Sequence, residues 1–166
     1  MHRLGVVAAL VAVAVFLSAA VPAAFPAKIV PKAGTWKVTV KHGSGSGASG
    51  SFTVGRTSFV VSSNHKRVMH FTFAYTYSGP VKVPYVGPCS GTGVSRAAKS
   101  SRIKNLKFAT PGSTSWSGAG SATFNGVFTT AKKAHGTARF SVFITGSGCQ
   151  LSGTASTGTA TWTARR

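Results

Sequence analysis

The chain has 166 residues, of which nineteen are Lys or Arg and none is Asp or Glu, so its formal charge at pH 7 is +19. The missing carboxylates exclude paired-acid catalysis, carboxylate metal sites and a Ser-His-Asp triad. No cation can pair with an acidic side chain of its own chain, so each is solvated or meets an anion from elsewhere.

The first residues have the pattern of a secretory signal peptide. His2 and Arg3 give a basic start, Gly5 to Ala20 is apolar apart from Ser18, and small residues follow up to Ala23. The apolar run is shorter than the about 20 residues of a membrane span. The expected organisation is a signal peptide over 1–23, a short linker over 24–33 and one domain over 34–166, secreted or held at the cell envelope. In an oxidising compartment the two cysteines, Cys89 and Cys149, read as one disulfide.

The domain is strand and turn material, rich in Gly, Ser, Thr, Val and Phe. Trp36, Val38 and Val40 alternate with Lys37, Thr39 and Lys41, which predicts a half-buried strand with its lysines in water. Residues 43–50 (GSGSGASG) read as a loop. Phe52 and Val54 mark a second strand and Ser58 to Ser62 a third. Arg67 to Tyr77 is the longest candidate, with Met69, Phe71, Phe73, Tyr75 and Tyr77 on one face. Pro80, Pro84 and Pro88 then interrupt the pattern. A basic stretch, RAAKSSRIKNLK, runs from Arg96 to Lys107, and Ile103, Leu106 and Phe108 join its end to the core. Asn125-Gly126 between Phe124 and Val127 predicts a type I′ hairpin turn. Ala138, Phe140, Val142 and Ile144 alternate with Arg139, Ser141 and Phe143, and a last strand carries Trp162. The expected class is all-β: a single antiparallel β-sandwich, or partly closed barrel, of about eight or nine short strands.

Phe59, His65, Phe71 to Phe73 and Cys89-Ser90-Gly91-Thr92 are echoed by Phe128, His135, Phe140 to Val142 and Cys149, then Ser152-Gly153-Thr154. Gly34-Thr35-Trp36, Gly126, Phe128, Thr129-Thr130, Ala134, Gly136-Thr137, Cys149, Gly153-Thr154 and Thr161-Trp162-Thr163-Ala164 together resemble a pattern in small secreted β-rich proteins of actinobacteria. The resemblance implies a secreted β domain with a paired-cysteine bridge and implies no activity. This chain departs from the pattern in lacking every acidic residue.

His135-Gly136-Thr137 followed by Gly146-Ser147-Gly148-Cys149 resembles the L,D-transpeptidase signature, in which a cysteine nucleophile works with a histidine. It departs where Gly146 replaces the signature serine and Leu151 its arginine, and a Cys89–Cys149 bridge would remove the thiol. Among the histidines, His42, His65, His70 and His135 lack metal-ligand spacing. The chain is therefore read as non-enzymatic, with no catalytic residue, metal or cofactor. The transpeptidase is the weakest alternative. A second alternative is a carbohydrate-binding module that uses exposed aromatics, Trp116, the tryptophan expected to be most exposed, together with the tyrosines.

The basic groups carry the main reading. Arg96, Lys99, Arg102, Lys104 and Lys107 fall within twelve residues, and Lys132-Lys133 forms a second pair. Lys66-Arg67, Lys37, Lys41 and Arg165-Arg166 are expected at turns, on an outer face or in the tail. The seven residues Arg96, Lys99, Arg102, Lys104, Lys107, Lys132 and Lys133 are the candidate anion-binding set. Their expected partners are anionic polymers or surfaces: a wall polymer, an acidic lipid surface or extracellular nucleic acid. Binding would be driven by counterion release and weakened by salt.

Overall fold

The computed structural model describes residues 28–47, 50–79, 89–110, 116–146 and 149–166. The expected signal peptide, the linker up to residue 27 and the three prolines of residues 80–88 lie outside the described residues. The described chain holds twelve strands and no helix. They are β1 (Gly34–Lys41), β2 (Ser44–Gly47), β3 (Gly50–Val61), β4 (Arg67–Gly79), β5 (Cys89–Ala97), β6 (Ser101–Arg102), β7 (Lys107–Ala109), β8 (Trp116–Ser117), β9 (Gly120–Thr130), β10 (Lys133–Gly146), β11 (Cys149–Ser156) and β12 (Ala160–Arg165). The strands outnumber the eight or nine expected, and several are long, β10 reaching 14 residues. Two expected strands merge into β3, and the glycine-serine loop contains β2.

All pairings are antiparallel and belong to one sheet. β1 and β2 run in line along β3, from Gly34↔Val61 to Gly47↔Gly50. β11 and β12 run in line along β10, from Gly146↔Cys149 to Lys133↔Arg165. These two interrupted strands pair with each other, at Val40↔Trp162 and at Ser46↔Ser156. The order across the sheet is thus β8, β5, β4, β3, then β1 with β2, then β12 with β11, then β10, β9 and β7. The sheet curls until its ends meet: the Gly120 amide of β9 donates to Ser95 Oγ of β5 at 2.9 Å. The result is a partly closed barrel. The echo in the sequence corresponds to two three-strand meanders, β3–β4–β5 and β9–β10–β11, each with a cysteine opening its third strand.

The barrel is filled by aromatic rings. Phe59 touches Trp36, Phe71, Phe108, Phe128 and Trp162 at centroid distances from 5.1 to 6.3 Å. Phe71 of β4 stacks on Phe124 of β9 at 4.9 Å across the barrel. Each such pair adds about 0.5–1.5 kcal/mol beyond area burial. The two buried indoles are satisfied: Trp36 Nε1 donates to the Lys32 carbonyl at 2.8 Å, and Trp162 Nε1 to that of Thr137 at 3.0 Å.

Glycine is used in the strands to make room for these rings. Across the ladder, Phe52 faces Gly45, Tyr75 faces Gly93, Tyr77 faces Gly91, Phe108 faces Gly126 and Trp162 faces Gly136. A Cβ on Gly136 would meet Trp162 Cζ2 at 2.7 Å and the Asn125 carbonyl oxygen more closely still. An aromatic ring lying over a strand glycine covers the backbone that the glycine leaves bare.

This use of glycine corrects the expected Asn125-Gly126 turn. Both residues lie inside β9, opposite Thr137 and Gly136, and the chain reverses at Ala131-Lys132 instead. A primed turn does exist, at Lys104-Asn105-Leu106-Lys107. Asn105 and Leu106 have φ of 49° and 63°, and Lys104 and Lys107 exchange both backbone hydrogen bonds, at 2.8 and 2.9 Å. That is the geometry of a two-residue hairpin loop with positive φ at both central positions.

A second correction concerns Met69. Val68 is fully buried while Met69 is only partly so. β4 carries an extra residue at His70, whose φ is 52°, between the pairs Val60↔Met69 and Ser58↔Thr72. A bulge inverts the inward parity of its strand. Phe71, Phe73 and Tyr75 therefore point inward below the bulge, and Val68 above it. β3 bulges likewise at Gly55-Arg56, moving its inward set from Phe52 and Val54 to Thr57, Phe59 and Val61.

Candidate anion-binding site

Five chain segments are tied together at one end of the barrel. The Lys32 amide donates to the Ala131 carbonyl, Ile103 to Lys66, Phe128 to Leu106 and Arg166 to Lys132. His65 Nδ1 donates to the Pro31 carbonyl at 2.7 Å, which fixes the proton on that nitrogen, because a carbonyl only accepts. These contacts gather the start of β1, the β3–β4 turn, the Lys104–Lys107 turn, the β9–β10 turn and the end of β12.

Cations accumulate at that end. All nineteen Lys and Arg except Arg3 and Lys82 lie among the described residues, and only Arg56 and Arg139 of these fall in residues 42–47, 50–56, 73–79, 89–95, 118–123, 139–146 and 149–160, which build the opposite half. Several cations stand directly opposite one another across the ladder. Lys37, Arg165 and Lys133 form one exposed row across β1, β12 and β10. Arg67 faces Arg102 across β4 and β6. Lys104 faces Lys107 in the primed turn.

Of the seven candidate residues, Arg102, Lys104, Lys107, Lys132 and Lys133 are exposed at this end. Lys99 is exposed in the β5–β6 connection, beside Ser100, whose Oγ accepts from Arg67 Nε at 2.8 Å. Arg96 is exposed on β5, opposite Thr72 and Ser117, further along the barrel. Among the described residues none of these seven head groups has a hydrogen-bond partner. The tail behaves differently. Arg166 Nε donates to the Ala33 carbonyl at 2.8 Å and clamps the start of β1.

Arg102, Lys104 and Lys107 share a groove of about 690 Å³ with Asn105, Phe108, Asn125, Gly126, Gly136 and Thr137. The primed turn forms one wall. Left-handed backbone costs a leucine roughly 1–2 kcal/mol. Packing of Leu106 against the core and the bond from the Phe128 amide to its carbonyl, 2.9 Å, hold it there. The opposite wall is the outer face of β9 and β10, where Asn125 faces Thr137.

Sequence reasoning placed Lys37, Arg67 and Arg165 at turns, on an outer face or in the tail, but outside the candidate set. Alternation with inward Trp36 and Ala164 marks Lys37 and Arg165 as outward, whereas Arg67 shares the parity of Phe71 and faces outward because of the His70 bulge; only the register shows that they stand in line with Lys133 and Arg102. Asn125 and Thr137 were not candidates. Asn125 carries no signal beyond its polarity, and its Gly126 neighbour pointed to a turn.

The other candidates are placed less productively. Trp116 is the least buried of the three tryptophans, as expected; its ring packs on Phe73 at 5.4 Å and Phe124 at 6.5 Å and also lines a surface pocket with Ser121, Ser141 and Phe143. Its buried Nε1 has no partner among the described residues. His135 lies at the basic end of β10, while Cys149 pairs with Gly146 at the far end of that strand. At about 3.3 Å per residue the two are separated by roughly 35 Å, and no Cys–His couple forms. The described residues contain no group of His or Cys able to hold a metal ion.

No family model, curated protein or solved structure matches the chain.

Proposed function

We propose that the chain is a secreted, non-enzymatic β domain that adheres through its basic end to anionic polymers or surfaces of the cell envelope or the extracellular space. One observation carries this reading: the row Lys37–Arg165–Lys133 and the pair Arg67–Arg102 oppose like charges in a chain without a single acidic side chain. Each such pair destabilises the fold by roughly 0.2–1 kcal/mol. An external polyanion turns that repulsion into attraction and releases its own counterions on binding. Arg102 can engage a phosphate or carboxylate through two parallel N–H bonds, whereas the lysines act as point charges.

A Cys89–Cys149 bridge belongs to the same reading. Cys89 is buried at the start of β5, no described cysteine is free, and the chain contains one other. An oxidising compartment makes their pairing the expected chemistry. A thiol count on the exported protein should give zero; two reactive thiols would remove the bridge.

The adhesion is tested by retention on an immobilised polyanion across a salt gradient. Elution is expected below about 0.5 M salt, because exposed charges are screened within a few ångströms there. Retention unchanged at that salt would overturn the electrostatic account.

A further inference from the structure

We infer that the groove beside the Lys104–Lys107 turn seats one repeat of a polyol-phosphate chain, with the phosphate among Arg102, Lys104 and Lys107 and the hydroxylated linker along Asn125 and Thr137. The inference rests on the adhesion reading and narrows it to one subsite and one polymer chemistry.

The groove's two walls offer different chemistry. The wall from β6 and the primed turn carries three cations, while the wall from β9 and β10 carries an amide and a hydroxyl and no charge. A repeat unit with an anion at one side and hydroxyls at the other matches that split. The size matches too: about 690 Å³ lies within the range of sites that hold a small ligand. The floor is the backbone of Gly126 and Gly136 with the edge of Phe108. The Cβ positions of both glycines point to the Phe108 and Trp162 rings, so neither glycine puts a side chain into the groove. The cation pair is fixed in advance. The reciprocal bonds of the turn hold the Lys104 and Lys107 backbones opposite one another, and its left-handed residues are strained, as backbone at ligand sites often is.

Nucleic acid fits this site less well. Proteins that take single strands without reading their sequence provide aromatic faces for the bases. Among the described residues the sole exposed Phe, Tyr or Trp is Phe143, in the opposite half, and Phe108 in the groove is 5% exposed. The polar groups beside the cations are suited to hydroxyls instead.

The test compares affinities of the purified protein for a synthetic poly(glycerol phosphate), for single-stranded DNA with the same number of phosphates, and for polyglutamate of the same charge, all at about 0.15 M salt. Lys104→Gln with Lys107→Gln should weaken binding of the glycerol polymer about tenfold more than Lys132→Gln with Lys133→Gln, which removes equal charge outside the groove. Asn125→Ala with Thr137→Val should weaken the glycerol polymer several-fold and leave polyglutamate unchanged. In the unaltered protein, titration with the glycerol polymer should move the amide resonances of Asn105, Asn125, Gly126 and Thr137, a readout that does not depend on any variant folding. Equal losses from the two lysine pairs, or amide shifts spread evenly over the basic end, would overturn the groove and leave diffuse adhesion standing. Tighter binding of DNA than of the glycerol polymer would overturn the choice of polymer. Binding of none of the three would remove both this inference and the adhesion on which it rests.

Discussion

The two halves of the barrel share one sheet and one way of packing it, and they differ on the outside. In the opposite half Arg56 and Arg139 are the described cations, and most outward strand positions are hydroxyls. Ser51, Thr53, Thr76, Ser78, Ser90, Thr92, Thr123, Thr154 and Ser156 are all exposed. Neighbouring strands satisfy one another there, Ser51 Oγ lying 3.2 Å from Ser78 Oγ and Ser141 Oγ 2.5 Å from Ser156 Oγ. In the basic half the equivalent cross-strand positions hold Lys37, Arg165 and Lys133 in line and Arg67 against Arg102. One half closes its surface on itself and the other leaves its surface repelling. A uniform drift in composition would place cations at outward positions of both halves. All the described cations except Arg56 and Arg139 lie in the basic half, and that asymmetry is set by the fold.

The comparison can be broken or sharpened by substitution. The largest effect should come from the packing that both halves share. Gly136→Ala should destabilise by about 3 kcal/mol in denaturant unfolding, because the new methyl meets a backbone oxygen and the Trp162 ring in a filled core. Gly158→Ala, with nothing near its Cβ, should stay within about 0.5 kcal/mol. If Gly136→Ala were as mild, the pairing of rings with glycines would not hold the sheet together.

Next comes the exchange of one half's surface for the other's. Lys37→Ser with Lys133→Ser should lower affinity for a polyanion about tenfold, or about 1.4 kcal/mol, by equilibrium binding at low salt. The same pair should raise unfolding stability by up to about 1 kcal/mol, since it deletes two repelling neighbours of Arg165. A loss of stability on that exchange would contradict the account of the row.

A smaller effect is expected from salt alone. Raising ionic strength from about 0.01 to about 0.5 M should lift the melting temperature by roughly 3 °C through screening. The Lys37→Ser, Lys133→Ser protein should show about half that rise. The smallest effect is expected at Trp116→Phe in β8. Removing an N–H that is buried without a partner among the described residues offsets the packing lost with the larger ring, so stability should change by less than about 1 kcal/mol. A loss above about 2 kcal/mol would mean that the indole nitrogen is bonded.

Much of the fold was legible in the sequence because side chains alternate along a strand. The inward placing of Trp36, Phe71, Phe73, Phe140, Val142, Ile144 and Trp162 follows from period two alone. Alternation fails at a bulge, where one inserted residue reverses parity without a signature of its own. Val68 and Met69 were exchanged for that reason, since His70 has the look of any polar strand residue. The turns were misplaced for a related reason. Asn-Gly marks a residue pair that tolerates positive φ, but glycine also serves where there is no room for a Cβ, and the two uses look alike until the facing ring is known. At Asn105-Leu106 the constraint came from the surrounding structure, which holds a leucine where propensity alone would not place it.

The chain by itself determined its sign of charge, its all-β class and the outward direction of most of its cations, because these depend on composition and on a local two-residue period. The tertiary structure alone decided which cations stand together. Cross-strand neighbours are set by register, and register depends on bulges, on ring-to-glycine fits and on the curl that brings distant strands to one end. Arg67 and Arg102, like Lys37 and Lys133, are far apart along the chain and adjacent only once the sheet has formed.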